Sequence, residues 1–128
     1  MSFEVGKIQY YEYEYDFADD GGATGTIDLS AKANKADLPN GCVRLRTSVV
    51  VQTALAGSSA SAKIGTSANA ADLAADAGVA SYSASAVFND TTPVYIGTTN
   101  GDCVLTIAGA ALTAGKFKVL VEFWNPNA

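Results

Sequence analysis

The first strongly patterned segment of the chain alternates aromatic with acidic residues. From Ile8 to Phe17 the sequence is IQYYEYEYDF, with an aromatic ring at every second position from Tyr11 onwards and an acid at each position between. Side chains of a β-strand project alternately to its two faces, so this period of two predicts a strand with one aromatic and one acidic face. Large aromatics fill cores and interfaces alike. The aromatic face is therefore expected to contact either the chain's own core or a neighbouring subunit.

Two later segments have the same period of two. Residues 42–55 (CVRLRTSVVVQTAL) and 116–124 (KFKVLVEFW) each predict a long strand with two distinct faces. In the first, one face is predicted to hold Val43, Leu45, Thr47, Val49 and Val51, and the other Arg44, Arg46, Ser48 and Gln52. In the second, one face is predicted to hold Phe117, Val119, Val121 and Phe123, and the other Lys116, Lys118, Leu120, Glu122 and Trp124.

The remaining segments are shorter and are separated by turn signals such as DDGG at 19–22 and the Asn-Gly pairs at 40–41 and 100–101. A strand at 24–29 is predicted to form a hairpin with the first strand, and a strand at 93–98 a hairpin with one at 103–108. Alanine-rich residues 69–77 predict one short helix. Further short strands are predicted within 62–66 and 79–89.

This spacing of short strands, without alternating helices, predicts an all-β protein. We expect an antiparallel β-sandwich, jelly-roll-like, of about eight strands with one short helix in a loop. A length of 128 residues fits a single domain, 1–128, in which 1–18 form an N-terminal arm or an edge strand.

The charge distribution is one-sided. The net charge is −5; residues 1–20 hold six acids and one lysine, whereas the rest of the chain holds seven acids and seven bases. Because phosphate contacts need Lys and Arg, no nucleic-acid partner is expected. No run is long and apolar enough to predict a membrane span, and residues 1–17 lack a secretory pattern, so synthesis and folding in a cytoplasm are expected.

The acids and bases also share the strand period. An acidic row of Glu12, Glu14 and Asp16 has the same spacing as the basic pairs Arg44/Arg46 and Lys116/Lys118. Pairing across strands or across subunits would fix the strand register while contributing only about 0.2–1 kcal/mol per pair. A basic surface on a partner protein is the other candidate for this acidic row.

Candidate catalytic groups are few. The chain has no histidine, so a Ser or Cys nucleophile would lack its usual base and no enzymatic activity is predicted. Glu12 and Glu14 have a spacing that a glycosidase could use, but acids on a strand are more often simply solvated. A calcium site could use Asp16, Asp19 and Asp20, but three carboxylates are few for this ion. An ordinary turn is the favoured interpretation of this segment. No metal or cofactor is predicted.

The two cysteines, Cys42 and Cys103, each follow a turn and begin an apolar run. A disulfide between two strand starts is geometrically conceivable. In a reducing compartment, two buried free thiols are the expected state. Two cysteines without histidine do not supply the four ligands of a structural zinc site.

Three segments together resemble a known group of proteins. LPNGCVRLRTSVVVQTALAG, KIGTSANAADL and LTAGKFKVLVEFWNP, which span about residues 38–126, are similar in order and chemistry to the small β-sandwich virion proteins of tailed bacteriophages. The resemblance implies a head decoration, or cement, protein that binds the major capsid protein and stabilises the shell. It also implies a homo-oligomer, commonly a trimer, on the capsid surface of the virion, made in the host cytoplasm. A tail adaptor or a sugar- or receptor-binding fibre module is the alternative.

For an adhesive protein the candidate interface is the aromatic and charged surface defined above. The tyrosine row and the single tryptophan would equally serve a sugar-binding module. The candidate interface residues are Tyr11, Glu12, Tyr13, Glu14, Tyr15, Asp16, Phe17, Arg44, Arg46, Lys116, Lys118 and Trp124.

Overall fold

The protein is described here by a computed structural model that covers residues 6–127. Its one helix, α1, is a single turn, Phe17–Asp20, and two 3₁₀ turns occupy Leu29–Ala31 and Val79–Ser81. Among these residues no helix is long and apolar enough to cross a membrane. The strands in chain order are β1 (Lys7–Asp16), β2 (Gly25–Asp28), β3 (Val43–Ala56), β4 (Ser61–Gly65), β5 (Ala74–Gly78), β6 (Val87–Asp90), β7 (Val94–Tyr95), β8 (Val104–Ala108) and β9 (Ala114–Asn125).

These strands form two antiparallel sheets. The five-stranded sheet has the order β1-β9-β3-β6, with β7 also pairing with β3, and the four-stranded sheet has the order β2-β8-β4-β5. The all-β sandwich expected from the sequence is confirmed. Residues 7–16 of the predicted arm form the edge strand β1, while residues 1–5 lie outside the described part of the chain.

The core lies between the two sheets. From the five-stranded sheet it receives rings and β-branched side chains of β1, β3 and β9, and from the four-stranded sheet it receives residues of β4 and β8. The predicted division of β9 into two faces is confirmed, and the face of Phe117, Val119, Val121 and Phe123 is the buried one. This alternation places the other face of the same sheet in solvent.

A β-bulge in β3 changes the predicted faces of that strand. Arg44 pairs with Phe123 and Arg46 pairs with Glu122, so Leu45 is an extra residue without its own partner on β9. One inserted residue reverses the alternation. As a result Arg44 points inward and is buried, so its predicted place beside Arg46 on the outer face is wrong.

Both predicted hairpins are wrong. α1 and the turn at Gly21, where φ is 73°, carry the chain from β1 to the opposite sheet, where β2 pairs with β8. Similarly β7 pairs with β3, while β8 pairs with β2 and β4. Turn signals locate a reversal of the chain, but the partner of each strand depends on which sheet can bury its apolar face.

The helix predicted at 69–77 is also wrong in position. The Asn69 carbonyl accepts hydrogen bonds from the amides of Thr66 and Asp72, which closes a tight turn. The chain then continues as β5, which pairs with β4. Pairing with a neighbouring strand has overridden the helical preference of alanine.

Candidate interaction surface

The central tyrosines of β1 belong to the core of their own chain. Tyr13 and Tyr15 are 1% and 0% exposed. Their hydroxyls donate to the carbonyl oxygens of Ala36 and Gly21, each at 2.7 Å, which satisfies the polar end of each buried ring. Burial raises the pKa of Tyr13 and raises that of Tyr15 to about 12. These two rings therefore cannot contact a partner protein.

The aromatic residues at either end of this row are partly buried. The Tyr11 ring lies edge-on to Phe123, with ring centroids 5.0 Å apart, and Phe17 packs at the margin of the same core. The sequence left open whether the aromatic face contacts the chain's own core or a neighbouring subunit. In the structure this face covers the chain's own core.

The acidic face of β1 pairs with lysines of β9. Lys118 Nζ lies 2.8 Å from Glu12 Oε1. Lys116 Nζ lies 3.7 Å from Glu14 Oε1 and 4.0 Å from Asp16 Oδ2. Hydrogen bonding between Lys118 and Glu12 lowers the pKa of Glu12 and raises that of Lys118. The predicted match of the acidic row is confirmed within the chain for Lys116 and Lys118. We call these five residues the charge ladder.

Arg46 and Arg44 are placed very differently. Arg46 lies on the outward face, 3.9 Å from the Glu122 carboxylate. Arg44 is 3% exposed; its Nη2 lies 3.2 Å from Asp72 Oδ2 and donates to the Asp72 carbonyl at 3.4 Å. It therefore fastens the turn before β5 to the five-stranded sheet, and it is removed from the candidate surface.

One row of the outward face is apolar. Ile8 pairs with Trp124, Trp124 with Val43, and Val43 with Tyr95, so four strands contribute side by side. We call these four residues the apolar row. Tyr10, next to Ile8 on the same strand face, is 65% exposed and extends it.

Most of this row was not predicted from the sequence. Only Trp124 was a candidate residue. The alternation of β1 could have identified two members of this surface. Ile8 and Tyr10 are spaced by two from Glu12, so they share its outward face. The position of Tyr95 could not be found in this way, since β7 has only two residues and joins the sheet through β3.

A close backbone approach fixes the tryptophan. A Cβ on Gly6 would lie 2.7 Å from Trp124 Nε1 and closer still to the Asn125 carbonyl. Only glycine lets the two chain segments meet here, so the indole is held at a defined place in the apolar row.

The acids near α1 have structural partners. Asp16 Oδ1 caps the amide of Ala18. Asp20 Oδ2 accepts from the Asp16 amide and from Lys32 Nζ, both at 2.9 Å, and Lys32 Nζ also donates to the Glu14 carbonyl at 2.8 Å. Within residues 6–127 no three His, Cys, Asp or Glu side chains gather as a metal site would require.

Both cysteines are free and buried. Burial raises the pKa of Cys42 and of Cys103, so both thiols are held in their unreactive protonated form. This matches the state expected from the sequence.

A groove of about 430 Å³ lies at the open side of the sandwich. It runs between β5 and β6, which are the last strands of the two sheets. Phe88 and Tyr82 line it on the apolar side, and Asn89, Asp90 and Thr92 on the polar side.

Comparison with solved structures gives matches along nearly the whole chain. A chain of the cyanophage Pam1 capsid asymmetric unit matches with a TM-score of 0.66 and 21% identity, covering 98% of this chain and 90% of that chain. A chain of the acid-stable capsid of Helicobacter pylori bacteriophage KHP30 matches with a TM-score of 0.64 and 18% identity, covering 97% and 92%.

A chain of the Ralstonia phage GP4 capsid matches with a TM-score of 0.62 and 16% identity, covering 100% of this chain and 90% of that chain. No protein-family model and no curated protein matches the sequence. The three similarities show a shared fold.

Proposed function

We propose that this chain is a structural protein of a bacteriophage virion, and specifically a decoration, or cement, protein that binds the capsid surface and stabilises the head. The supporting observation is the similarity to chains of three phage capsids. Each match covers at least 90% of both chains, so the likeness is between whole small chains rather than between a domain and part of a larger protein.

The surface chemistry supports adhesion rather than catalysis. The charge ladder is already paired within the sheet, and the free thiols are buried. The apolar row and Tyr10 remain available for contact with a partner. On this proposal the direct partner is the major capsid protein, other copies of the chain sit beside it on the lattice, and no enzymatic step is assigned.

Phage particles assembled with and without the protein test this function. Particles that lack it should lose infectivity and release DNA at a lower temperature, and they should need a higher salt concentration to remain intact. Adding the purified protein should restore resistance to heat and to low salt. Cryo-electron microscopy should show its density on the head and nowhere else. Equal resistance of both particles, with no head density, would remove the proposal.

The groove between β5 and β6 favours a second candidate, a sugar- or receptor-binding module of a fibre or tail. Aromatic Phe88 beside polar Asn89 and Asp90 is the mixture of stacking surface and hydrogen-bonding groups that ligand pockets use. A glycan array with the purified protein tests it. Binding that Phe88→Ala abolishes, together with density on the tail, would favour this function over decoration.

A further inference from the structure

Strand β6 ends the five-stranded sheet beside the groove and directs part of its main chain away from the sheet. The amide of Val51 in β3 donates to the carbonyl of Ala86, just before β6. Every second residue of an antiparallel strand bonds to its neighbour, so the register makes Phe88 and Asp90 the residues of β6 that bond to β3. Asn89, between them, therefore points its amide and its carbonyl outward.

The two ends of the five-stranded sheet differ in how they are covered. At one end, Lys32 donates to the Glu14 carbonyl on the edge of β1. At the other end, among residues 6–127, no hydrogen bond reaches the outward main chain of Asn89, or of Val87, which has the same orientation. The edge of β6 thus offers two amides and two carbonyls with the spacing that another strand would use.

Two side chains of β6 define what the adjacent groove would accept. Phe88 and Asp90 both line it, two positions apart on one strand face. Phe88 lies edge-on to Tyr82, with ring centroids 5.1 Å apart, and the two rings form an apolar floor. Asp90 accepts from the Thr92 amide at 2.9 Å, but within residues 6–127 no lysine or arginine pairs with it. The opposite wall consists of alanines of β5, which leave room for a larger side chain.

The order of Phe88 and Asp90 specifies the sequence of a matching strand. Residues opposite each other in a sheet project from the same face. The incoming residue opposite Phe88 would rest on the rings, and the one opposite Asp90 would lie beside the carboxylate. An apolar side chain suits the first position and an arginine or lysine suits the second. Since an antiparallel strand passes Asp90 first, the matching order is a base, any residue, and then an apolar residue.

This order is almost missing from the chain itself. Of its eight lysines and arginines, only Lys118 is followed two positions later by a large apolar residue, Leu120. Both belong to β9, which already pairs with β1 on one side and with β3 on the other. β9 cannot add to a second sheet, so the groove is not complementary to another copy of this chain.

We propose that the edge of β6 and the groove beside it bind an extended peptide segment of a different protein, which adds to the five-stranded sheet as an antiparallel strand and carries a base and an apolar residue two positions apart. In strand addition the main-chain hydrogen bonds supply affinity and the side-chain pockets supply specificity. The groove thereby takes a peptide rather than a sugar. This binding does not depend on a place in a virion, and its site is separate from the apolar row.

NMR titration of the isotope-labelled chain with the heptapeptide TTRTVTT tests the proposal, with peptide added to about 5 mM so that a dissociation constant near about 1 mM is measurable. Signals of β6 and of the groove should shift. The charge-reversed peptide TTETVTT should bind about tenfold more weakly, because an attractive pair with Asp90 becomes a repulsive one. An N-methyl group on the threonine between arginine and valine should abolish binding, since that amide would bond to Asn89.

Variants of the protein test the same contacts from the other side. Asn89→Pro removes the outward amide and keeps the bonds of β6 to β3, because proline is tolerated in an edge strand. Asn89→Ala is the matched control, since it deletes the side chain and retains the amide. The proline variant should not bind TTRTVTT, and the alanine variant should bind it as the wild type does. Asp90→Asn keeps the acceptor for the Thr92 amide and should weaken binding about two- to fivefold.

Circular dichroism verifies the fold of each variant, and the N-methylated peptide makes the main-chain test without altering the protein. A wild-type chain that does not bind TTRTVTT would overturn the proposal, as would equal binding of TTETVTT or of the N-methylated peptide. A folded Asn89→Pro variant that binds normally would do the same. Glycan binding that Asn89→Ala abolishes, without peptide binding, would assign the groove to sugars and equally overturn it.

Discussion

The two faces of the β1–β9 pair share one backbone and one register, yet they are stabilised in different ways. On the inner face, Tyr15 lies opposite Phe117 with ring centroids 5.3 Å apart, and both are fully buried. On the outer face, Lys118 pairs with Glu12 and Lys116 pairs with Glu14, both in partial solvent. Burial of rings contributes several kcal/mol, whereas such ion pairs contribute about 0–1 kcal/mol. The inner face therefore contributes most of the stability of this strand pair, and the outer face is available to contact other molecules.

Removing residues 1–18 tests this difference most severely. If residues 1–18 were only an N-terminal arm, the shortened chain would fold and merely assemble poorly. With Tyr13 and Tyr15 in the core, the structure predicts instead that the truncated chain does not fold. β9 would lose one of its two partner strands, and the core would lose two rings. Circular dichroism and proteolysis check this. A truncated chain that melts cooperatively near the wild-type temperature would show that β1 is an accessory arm.

Replacing one inner ring should be the most costly point change. Phe117→Ala is expected to lower the free energy of unfolding by about 3–5 kcal/mol, because it leaves a cavity between Tyr15 and Tyr82. Leu120→Ala, three residues later on the outer face, is the matched control. It should cost less than about 1 kcal/mol in urea or thermal unfolding. Equal costs would erase the distinction between the faces.

Arg44 is the exception on the inner face, since it is a buried charge. Arg44→Ala should lower stability by an amount near the lower end of about 3–5 kcal/mol, because it strands the Asp72 carboxylate, which keeps some solvent exposure. The double variant Arg44→Met with Asp72→Asn should recover part of the loss in the same unfolding assay. If the single and double variants lose equally, packing rather than the ion pair fixes this turn.

Alkaline pH should weaken the inner face more than the outer one, where deprotonation of Lys118 removes only a weak, partly exposed ion pair. Burial raises the pKa of Tyr15 and of Tyr82 to about 12 from an ordinary value of 10. Between these values the unfolded chain releases protons that the folded chain retains, so stability is complete below pH 10 and falls as pH rises toward 12. At pH 11 the two together should cost roughly 2–3 kcal/mol.

Thermal melts from pH 8 to 11.5, with tyrosinate absorbance recorded alongside, measure this loss. Tyr15→Phe removes one ionisable ring and is the control; its stability should fall less steeply with pH. A melting temperature that is constant up to pH 11.5 would contradict the burial of these hydroxyls.

The charge ladder should give the smallest effect. Lys118→Ala is expected to cost about 0.2–1 kcal/mol, since its partner Glu12 is partly exposed. Screening by 1 M NaCl should remove most of the difference between variant and wild type. Chemical denaturation with urea, which is uncharged, is the suitable measurement. A loss above about 2 kcal/mol that salt does not reduce would mean that the lysine stem packs rather than pairs.

The sequence was sufficient where the alternation was unbroken. Both faces of β1 and β9 follow directly from their period of two, because each position from Tyr11 to Asp16 and from Lys116 to Trp124 keeps its parity. The predicted faces of β3 were wrong at Arg44. A bulge cannot be recognised in a sequence whose polar and apolar residues still alternate. The bulge depends on how β3 pairs with β9, and that pairing is a property of the folded sheet.

The candidate surface was predicted less well than the fold. The predicted interface was centred on the largest aromatic cluster in the sequence, but Tyr13 and Tyr15 of that cluster are core residues. The exposed row was invisible because its members come from β1, β3, β7 and β9, which are far apart in the chain. The partner of a strand is set by which faces can be buried together, and the pattern of one strand read by itself does not reveal that.

The lysine beside α1 has a consequence for how the protein behaves at high concentration. β1 ends its sheet, and an end strand invites a further strand to add to it and so begin a fibre. Lys32 places an ammonium on the Glu14 carbonyl, and Tyr13 draws Ala36 over the same strand. A strand arriving there would have to displace a charge and a buried hydrogen bond. Sheet extension is thus blocked at that end of β1, and the chain is protected from polymerising along its own edge.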